Sequence, residues 1–293
     1  MYDAIIVGGS YAGLAAATQL ARARRKILVI DGGQRRNRFA EHSHGFLSRD
    51  GALAADIVAE AKRQLLAYPM VEWRDAQVLS AGGEADSFHL VDGTGASAEG
   101  RRVLVAIGVR DELPAIPGLA DRWGRSVFHC PYCHGYEIVG PVGVLATHDN
   151  SIHQALMLPD WAPTTFLLNG RTLNAEELEK LAARNVAVEP APVASIVESA
   201  SVAMADGRVL AFGGLFTASR LHPSSELAVQ LGCAMEEAPT GRVVQTDGLK
   251  QTSVPGVFAA GDVARHSGNV ALAVGDGTFA GAAIHRSLMF GLS

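Results

Sequence analysis

Cysteine is scarce in this chain, with three residues in 293, too few for a disulfide framework, so a fold of this length has to be held by packing. Long apolar runs are missing as well. The longest near the start, residues 4–20, is interrupted by Ser10, Tyr11, Thr18, Gln19 and three glycines, and its arginines follow it rather than precede it. That excludes a signal peptide and a membrane span in this stretch. Nor is there an excess of one charge: 25 Lys and Arg against 30 Asp and Glu leave a formal charge of −5. Beyond the short basic stretches 22–26 and 35–38 nothing is placed to grip a nucleic acid. The expected partners are therefore neither nucleic acid nor membrane. With no export signal the expected compartment is the cytoplasm, where a close cysteine pair is catalytic or metal-binding rather than structural.

What the chain has in plenty is glycine, 32 residues, many of them where an apolar run stops. The length suggests two domains, each able to bury a core. Residues 4–7 read as a buried strand, 8–13 as a turn, 14–23 as a helix and 27–30 as the next strand, closed by Asp31, which makes one βαβ unit. A second strand–turn–helix unit runs through 143–145, 146–151 and 152–158, with a further strand at 164–168. Between the two, the Pro-rich residues 113–118 read as a stiff connector, and 221–225 as a second crossing. A strand-like stretch ending in Gly261 and Asp262 and an Ala/Gly-rich helix over about 269–289 complete the chain. The expected fold is α/β, two Rossmann-like three-layer domains with the second inserted in the first: residues 1–115, then the inserted 116–222, then 223–293.

Gly8, Gly9, Ser10, Tyr11, Ala12 and Gly13 fit the pattern GxGxxG except at the middle glycine, where Ser10 stands. Serine is small and adds a hydroxyl donor, while the helix start offers free N–H groups and a positive dipole end to an anion. Asp31, 23 positions after Gly8, lies where such a unit sets a carboxylate beside an adenosine ribose. A tight turn packing a helix on a strand would explain the glycines without a ligand; the spacing of Asp31 favours the ligand. Ala106 and Gly108, and Gly261 and Asp262, are further strand ends that would line the same crevice, Asp262 serving equally as a helix cap.

The most specific feature is His129-Cys130-Pro131-Tyr132-Cys133-His134. Covalent haem attachment requires a haem pocket and export. Zinc requires four ligands, and two adjacent imidazoles cannot join two thiolates on one tetrahedral centre, so no metal is expected. Redox exchange needs only two thiols that can meet, one activated by a helix start and one to resolve the mixed disulfide. His134, directly after the second cysteine, is placed to move protons; His129 reads as capping a turn. Cys233, in a Leu-Gly-Cys-Ala context, reads as a small buried apolar residue.

Taken together, the first glycine loop with Asp31, the AIG and IPG stretches, the CPYC pair and TSVPGVFAAGD near the end resemble the low-molecular-weight thioredoxin reductases along nearly the whole chain. Within them, CPYCHGYE and HGFLSRDG look like the branch that contains the dithiol oxidases of bacterial and fungal disulfide natural products together with related bacterial flavoproteins. The resemblance implies FAD in the first domain, with residues 8–13 on the pyrophosphate, Asp31 on the ribose and Asp262 near the ribityl and phosphate region. It implies further cofactor contacts from Gly32, Asn37, His44, Gly45, Val78, Ala106, Gly108, Gly261, Val270 and Ala271. It also implies that Cys133 faces the flavin, that Cys130 exchanges with substrate, and that the chain is a homodimer.

In the reductases the inserted domain binds NADPH through its own glycine loop; here that stretch reads Ala146-Thr147-His148-Asp149-Asn150-Ser151. His148 is bulky where backbone should meet pyrophosphate. Asp149 adds a like charge worth about 3 kcal/mol at roughly 5 Å in an effective dielectric of ~20. The arginine-rich run that holds the 2′-phosphate is reduced to Asn169-Gly170-Arg171. The expectation is an FAD enzyme that oxidises dithiols with weak or no NADPH use, its substrate a small molecule or a thioredoxin-like protein. Two alternatives stand beside it: a thioredoxin reductase fed by NADPH or a ferredoxin-like donor, and a non-catalytic flavin redox sensor.

Overall fold

The computed structural model describes residues 1–238 and 240–292. The chain divides into two compact units, Met1–Arg110 with Leu221–Ser293, and Asp111–Arg220.

The first unit is built on a seven-stranded sheet. The strands Val71–Asp75, Ile27–Asp31, Tyr2–Val7 and Ser97–Val105 lie side by side in parallel. Ser97–Val105 then divides its free edge. Its first half pairs with the antiparallel strand Ser87–Asp92 and its second half with the parallel strand Val257–Ala259. Alternate side chains of the parallel strands enter two different cores. Ala4, Ile6, Ile27, Val29 and Leu104 meet the helices on one face, while Ile5, Val7, Leu28, Ile30 and Val103 pack on the other. Burial on both faces is why Tyr2–Val7 and Ile27–Asp31 read as nearly continuous apolar runs.

The first helix spans Tyr11–Arg22, three residues earlier than the apolar spacing predicts. Ser10 already holds the extended backbone of a cap (φ −96°, ψ −161°), and nothing in Tyr-Ala-Gly opposes the turn that follows. The last helix, Val270–Phe290, lies along the first at close quarters. A Cβ on Gly277 would run into the backbone of Ala12, and one on Gly281 into that of Ala16.

The second unit carries a five-stranded parallel sheet in the order Val127–Phe128, Gly214–Thr217, Val142–Leu145, Thr164–Leu167, Ala187–Glu189. A three-stranded antiparallel sheet accompanies it. Its helix Ser151–Met157 is short because Pro159, without an N–H, falls in the 3-10 turn Leu158–Asp160 that follows. The helix Ala175–Ala183 is closed at its start by a capping box between Asn174 and Glu177. No helix among the described residues is long and apolar enough to cross a membrane.

Candidate functional site

In the first unit the turn between strand and helix is forced by contact. Gly8 takes φ +106°, and a side chain there would meet the carbonyl of Ala106, so only glycine lets the two strand ends approach. The Gly9 N–H donates to Asp31 Oδ1 (3.1 Å), tying the loop to the end of the second strand; Gly32 follows it. Ser10 caps the helix without a side-chain hydrogen bond, and no acid stands in the first turn made by Tyr11, Ala12 and Gly13. The positive helix end is left for another anion. Asn37 donates from Nδ2 to the Tyr11 hydroxyl (3.0 Å), while its Oδ1 is buried without a hydrogen-bond partner. Gly261, at φ +79°, brings a strand end against Ala12. Asp262 Oδ2 lies 3.2 Å from Arg36 Nη1, both side chains largely buried.

Residues 8–13, 31, 37, 106, 261 and 262 are thus drawn into one cradle. Gly108 (φ +65°) turns the chain just beyond Ala106. His44 and Gly45 are bound into their own loop, both directed at Asp50 Oδ1. Val78 belongs to the core cluster. Val270 and Ala271 open the last helix, which Asn269 caps by accepting from the Leu272 N–H (2.8 Å). Sequence reasoning missed Arg36, visible only as part of a basic stretch, and Gly268, whose lack of a side chain makes room for the Asp262 carboxylate. An unspent helix start, a carboxylate tied to the loop at the end of the second strand and an orphaned amide oxygen that lacks a donor together fit FAD.

In the second unit Cys130 and Cys133 are joined in a disulfide, Cα to Cα 5.3 Å. Cys130 caps the one-turn helix Pro131–His134, with proline at its first position. A single turn carries only a fraction of a helix dipole, so the thiol gains less from it than a long helix would give. His134 stacks on Phe128 with ring centroids 4.3 Å apart. His129 lies 6.0 Å from the Trp123 ring, and its carbonyl accepts from Gln154 Nε2 (2.7 Å). Gln154 was invisible as a site residue because its partner is a backbone atom 25 positions away. Cys233, in the first unit, is buried and donates to Thr252 Oγ1 (3.4 Å); burial pushes its thiol pKa up.

The loop at 146–151 spends its polar groups on itself. Ser151 Oγ accepts from the Thr147 N–H (3.2 Å) and the His148 N–H (3.1 Å), and His148 Nδ1 accepts from the Asn150 N–H (3.1 Å). Arg171 donates to the carbonyls of His148 and Asp149 and pairs with Glu177 at 2.8 Å. Among the described residues no group of three or more His, Cys, Asp or Glu is gathered around a point that could hold a metal.

A family model described as "Pyridine nucleotide-disulphide oxidoreductase" matches residues 2–139 and 165–277. The thioredoxin reductase tcpT of Claviceps purpurea is 33% identical over 308 residues, covering 99% of this chain and 95% of its own. The thioredoxin reductase sirT of Leptosphaeria maculans is 30% identical, covering 97% and 94%. Among solved structures, an oxidoreductase from Agrobacterium tumefaciens is 52% identical with a TM-score of 0.97 over 99% of each chain. HlmI is 35% identical with a TM-score of 0.90, covering 98% of this chain and 92% of its own.

Proposed function

The chain belongs to the pyridine nucleotide-disulphide oxidoreductase family and is a flavin-dependent thiol-disulfide oxidoreductase with FAD as its cofactor; from that premise we propose that it runs in the dithiol-oxidising direction and makes little use of NADPH. The observation that carries this reading is the self-satisfied loop at 146–151. A pyrophosphate needs free backbone N–H groups, and here three of them are already engaged by Ser151 and His148. The one arginine left for a 2′-phosphate is neutralised by Glu177. The family match itself is interrupted over 140–164, the stretch that holds this loop.

On this reading residues 8–13, Asp31, Asn37 and Asp262 hold FAD, which when bound supplies a two-electron acceptor for the cysteine pair. A substrate thiolate attacks Cys130 Sγ, the Cys130–Cys133 bond breaks, and Cys133 leaves as thiolate. The second substrate thiolate then attacks the sulfur bound to Cys130. This closes the substrate disulfide and leaves both cysteines reduced: two electrons pass from substrate to the pair, and two thiol protons are released. His134, held against Phe128, accepts one of them on a ring nitrogen. Its stacking on Phe128 fixes the ring plane, which a proton carrier beside a half-buried sulfur pair requires. We further propose a homodimer. Leu272, Gly275, Phe279 and Ala282 recur at spacings of three and four along the exposed face of Val270–Phe290, with Met289 seven positions further on, beyond Arg286, a stripe suited to a second copy of the chain.

Anaerobic mixing of the FAD-loaded protein tests the direction. Dithiols should bleach the flavin band, while NADPH at micromolar concentration should leave it within the mixing time. Rapid bleaching by NADPH would overturn the proposal in favour of a reductase, and bleaching by neither would leave a redox sensor.

A further inference from the structure

The helix Ser151–Met157 buries Ser151, Gln154 and Ala155 on its inner face, the stripe at spacings of three and four that an apolar core asks for. Ala155 joins the core there with Phe128, Leu158 and Phe216. Gln154 is the misfit on that stripe, a primary amide only 9% exposed where a leucine would serve packing better. Half of the amide is accounted for, since Nε2 donates to the His129 carbonyl at 2.7 Å. The other half is not. Oε1 is buried with no hydrogen-bond partner, and among the described residues of Asp111–Arg220 it is the one buried side-chain nitrogen or oxygen in that condition. A buried acceptor left unpaired destabilises the state that contains it and calls for a reason. The place of the amide supplies one. The carbonyl that moors it belongs to the residue directly before Cys130, one peptide bond from the disulfide.

We propose that Gln154 Oε1 is a built-in acceptor for the Cys130 thiol, unfilled while the pair is a disulfide and filled once it is reduced, so that Gln154 makes the pair a stronger oxidant. In the disulfide neither sulfur carries a hydrogen. Two electrons from a dithiol break the Cys130–Cys133 bond, and two protons come with them. One is carried by His134, leaving Cys133 as thiolate; the other stays on Cys130 Sγ and is donated to Gln154 Oε1. A thiolate has no hydrogen to give, so Cys133 cannot fill this role. A bond made in the reduced state alone, which also relieves an acceptor orphaned in the oxidised state, favours reduction and raises the potential of the pair. The inference concerns the cysteine pair itself and holds for either direction of electron flow.

The test uses Gln154→Leu, which keeps the bulk of the side chain and removes both polar ends. FAD-loaded wild type and variant are equilibrated in glutathione buffers, and the oxidised fraction of the pair is read by thiol alkylation and mass spectrometry. The equilibrium constant for reduction should fall about tenfold in the variant, a potential ~30 mV more negative. A second measurement needs no redox chemistry. In Cys130→Ser a permanent hydroxyl stands where reduction puts the thiol, so adding Gln154→Leu should lower the Tm of Cys130→Ser by more than Gln154→Leu lowers that of the disulfide form. A potential that is unchanged or less negative would overturn the proposal. A glutamine that only moors the His129 carbonyl, or whose oxygen is served by a fixed water, stabilises both states alike. An equal change of Tm in the two backgrounds would overturn it as well, and that comparison stands even if the variant binds flavin poorly. Neither result depends on whether dithiols or NADPH bleach the flavin, so the direction of the enzyme is tested separately.

Discussion

Gly277 offers a perturbation whose sign separates packing from propensity. Alanine is favoured over glycine inside a helix by about 1 kcal/mol, so in a helix lacking close neighbours Gly277→Ala would stabilise. In this protein the added Cβ would meet the carbonyl oxygen, carbonyl carbon and Cα of Ala12. All three are backbone atoms in the first turn of the Tyr11–Arg22 helix, and no side chain can swing aside. Relief requires the two helices to separate, at the upper end of the ~1–3 kcal/mol typical of overpacking, leaving a net loss of about 2 kcal/mol after the propensity gain. For a unit of this size about 2 kcal/mol lowers Tm by roughly 4–8 °C. Because Ala12 belongs to the cradle, the same displacement should weaken FAD retention, read as flavin released on gel filtration. Gly281→Ala meets Ala16 O at 2.6 Å and Cα at 2.9 Å and should also lower Tm. A Tm for Gly277→Ala equal to or above wild type, measured by differential scanning calorimetry, would refute the close helix approach from which the cradle is built.

Asp31→Ala removes the acceptor of the Gly9 N–H together with the carboxylate proposed for the ribose. Hydrogen bonds to a charged group are worth about 1.5–3 kcal/mol, so FAD affinity by fluorescence titration should fall by roughly 10- to 100-fold, and an unchanged affinity would place the ribose elsewhere. Phe279 is 47% exposed on the apolar stripe of the last helix, and Phe279→Glu should shift the sedimentation coefficient from dimer to monomer; a monomeric wild type, or a variant that stays dimeric, would dismiss that face as the interface.

The βαβ unit from Tyr2 to Asp31 could be read along the chain because its determinants are local. A short apolar strand, glycines at the turn and a carboxylate at fixed spacing all fall within residues 2–31. The Cys130–Cys133 pair was legible for the same reason, since the two sulfurs that pair stand three positions apart. The sequence also showed that the loop at 146–151 lacks the glycines of a dinucleotide site. Only the folded chain decided what that loop does instead. Ser151 and His148 occupy its amides, and Arg171 reaches back over it to Glu177, a set of bonds that no spacing rule predicts. Arg36 and Asp262 stand 226 positions apart, and the edge of Ser97–Val105 is shared by a hairpin and a distant strand. Such pairings follow from where side chains arrive once the sheet has formed.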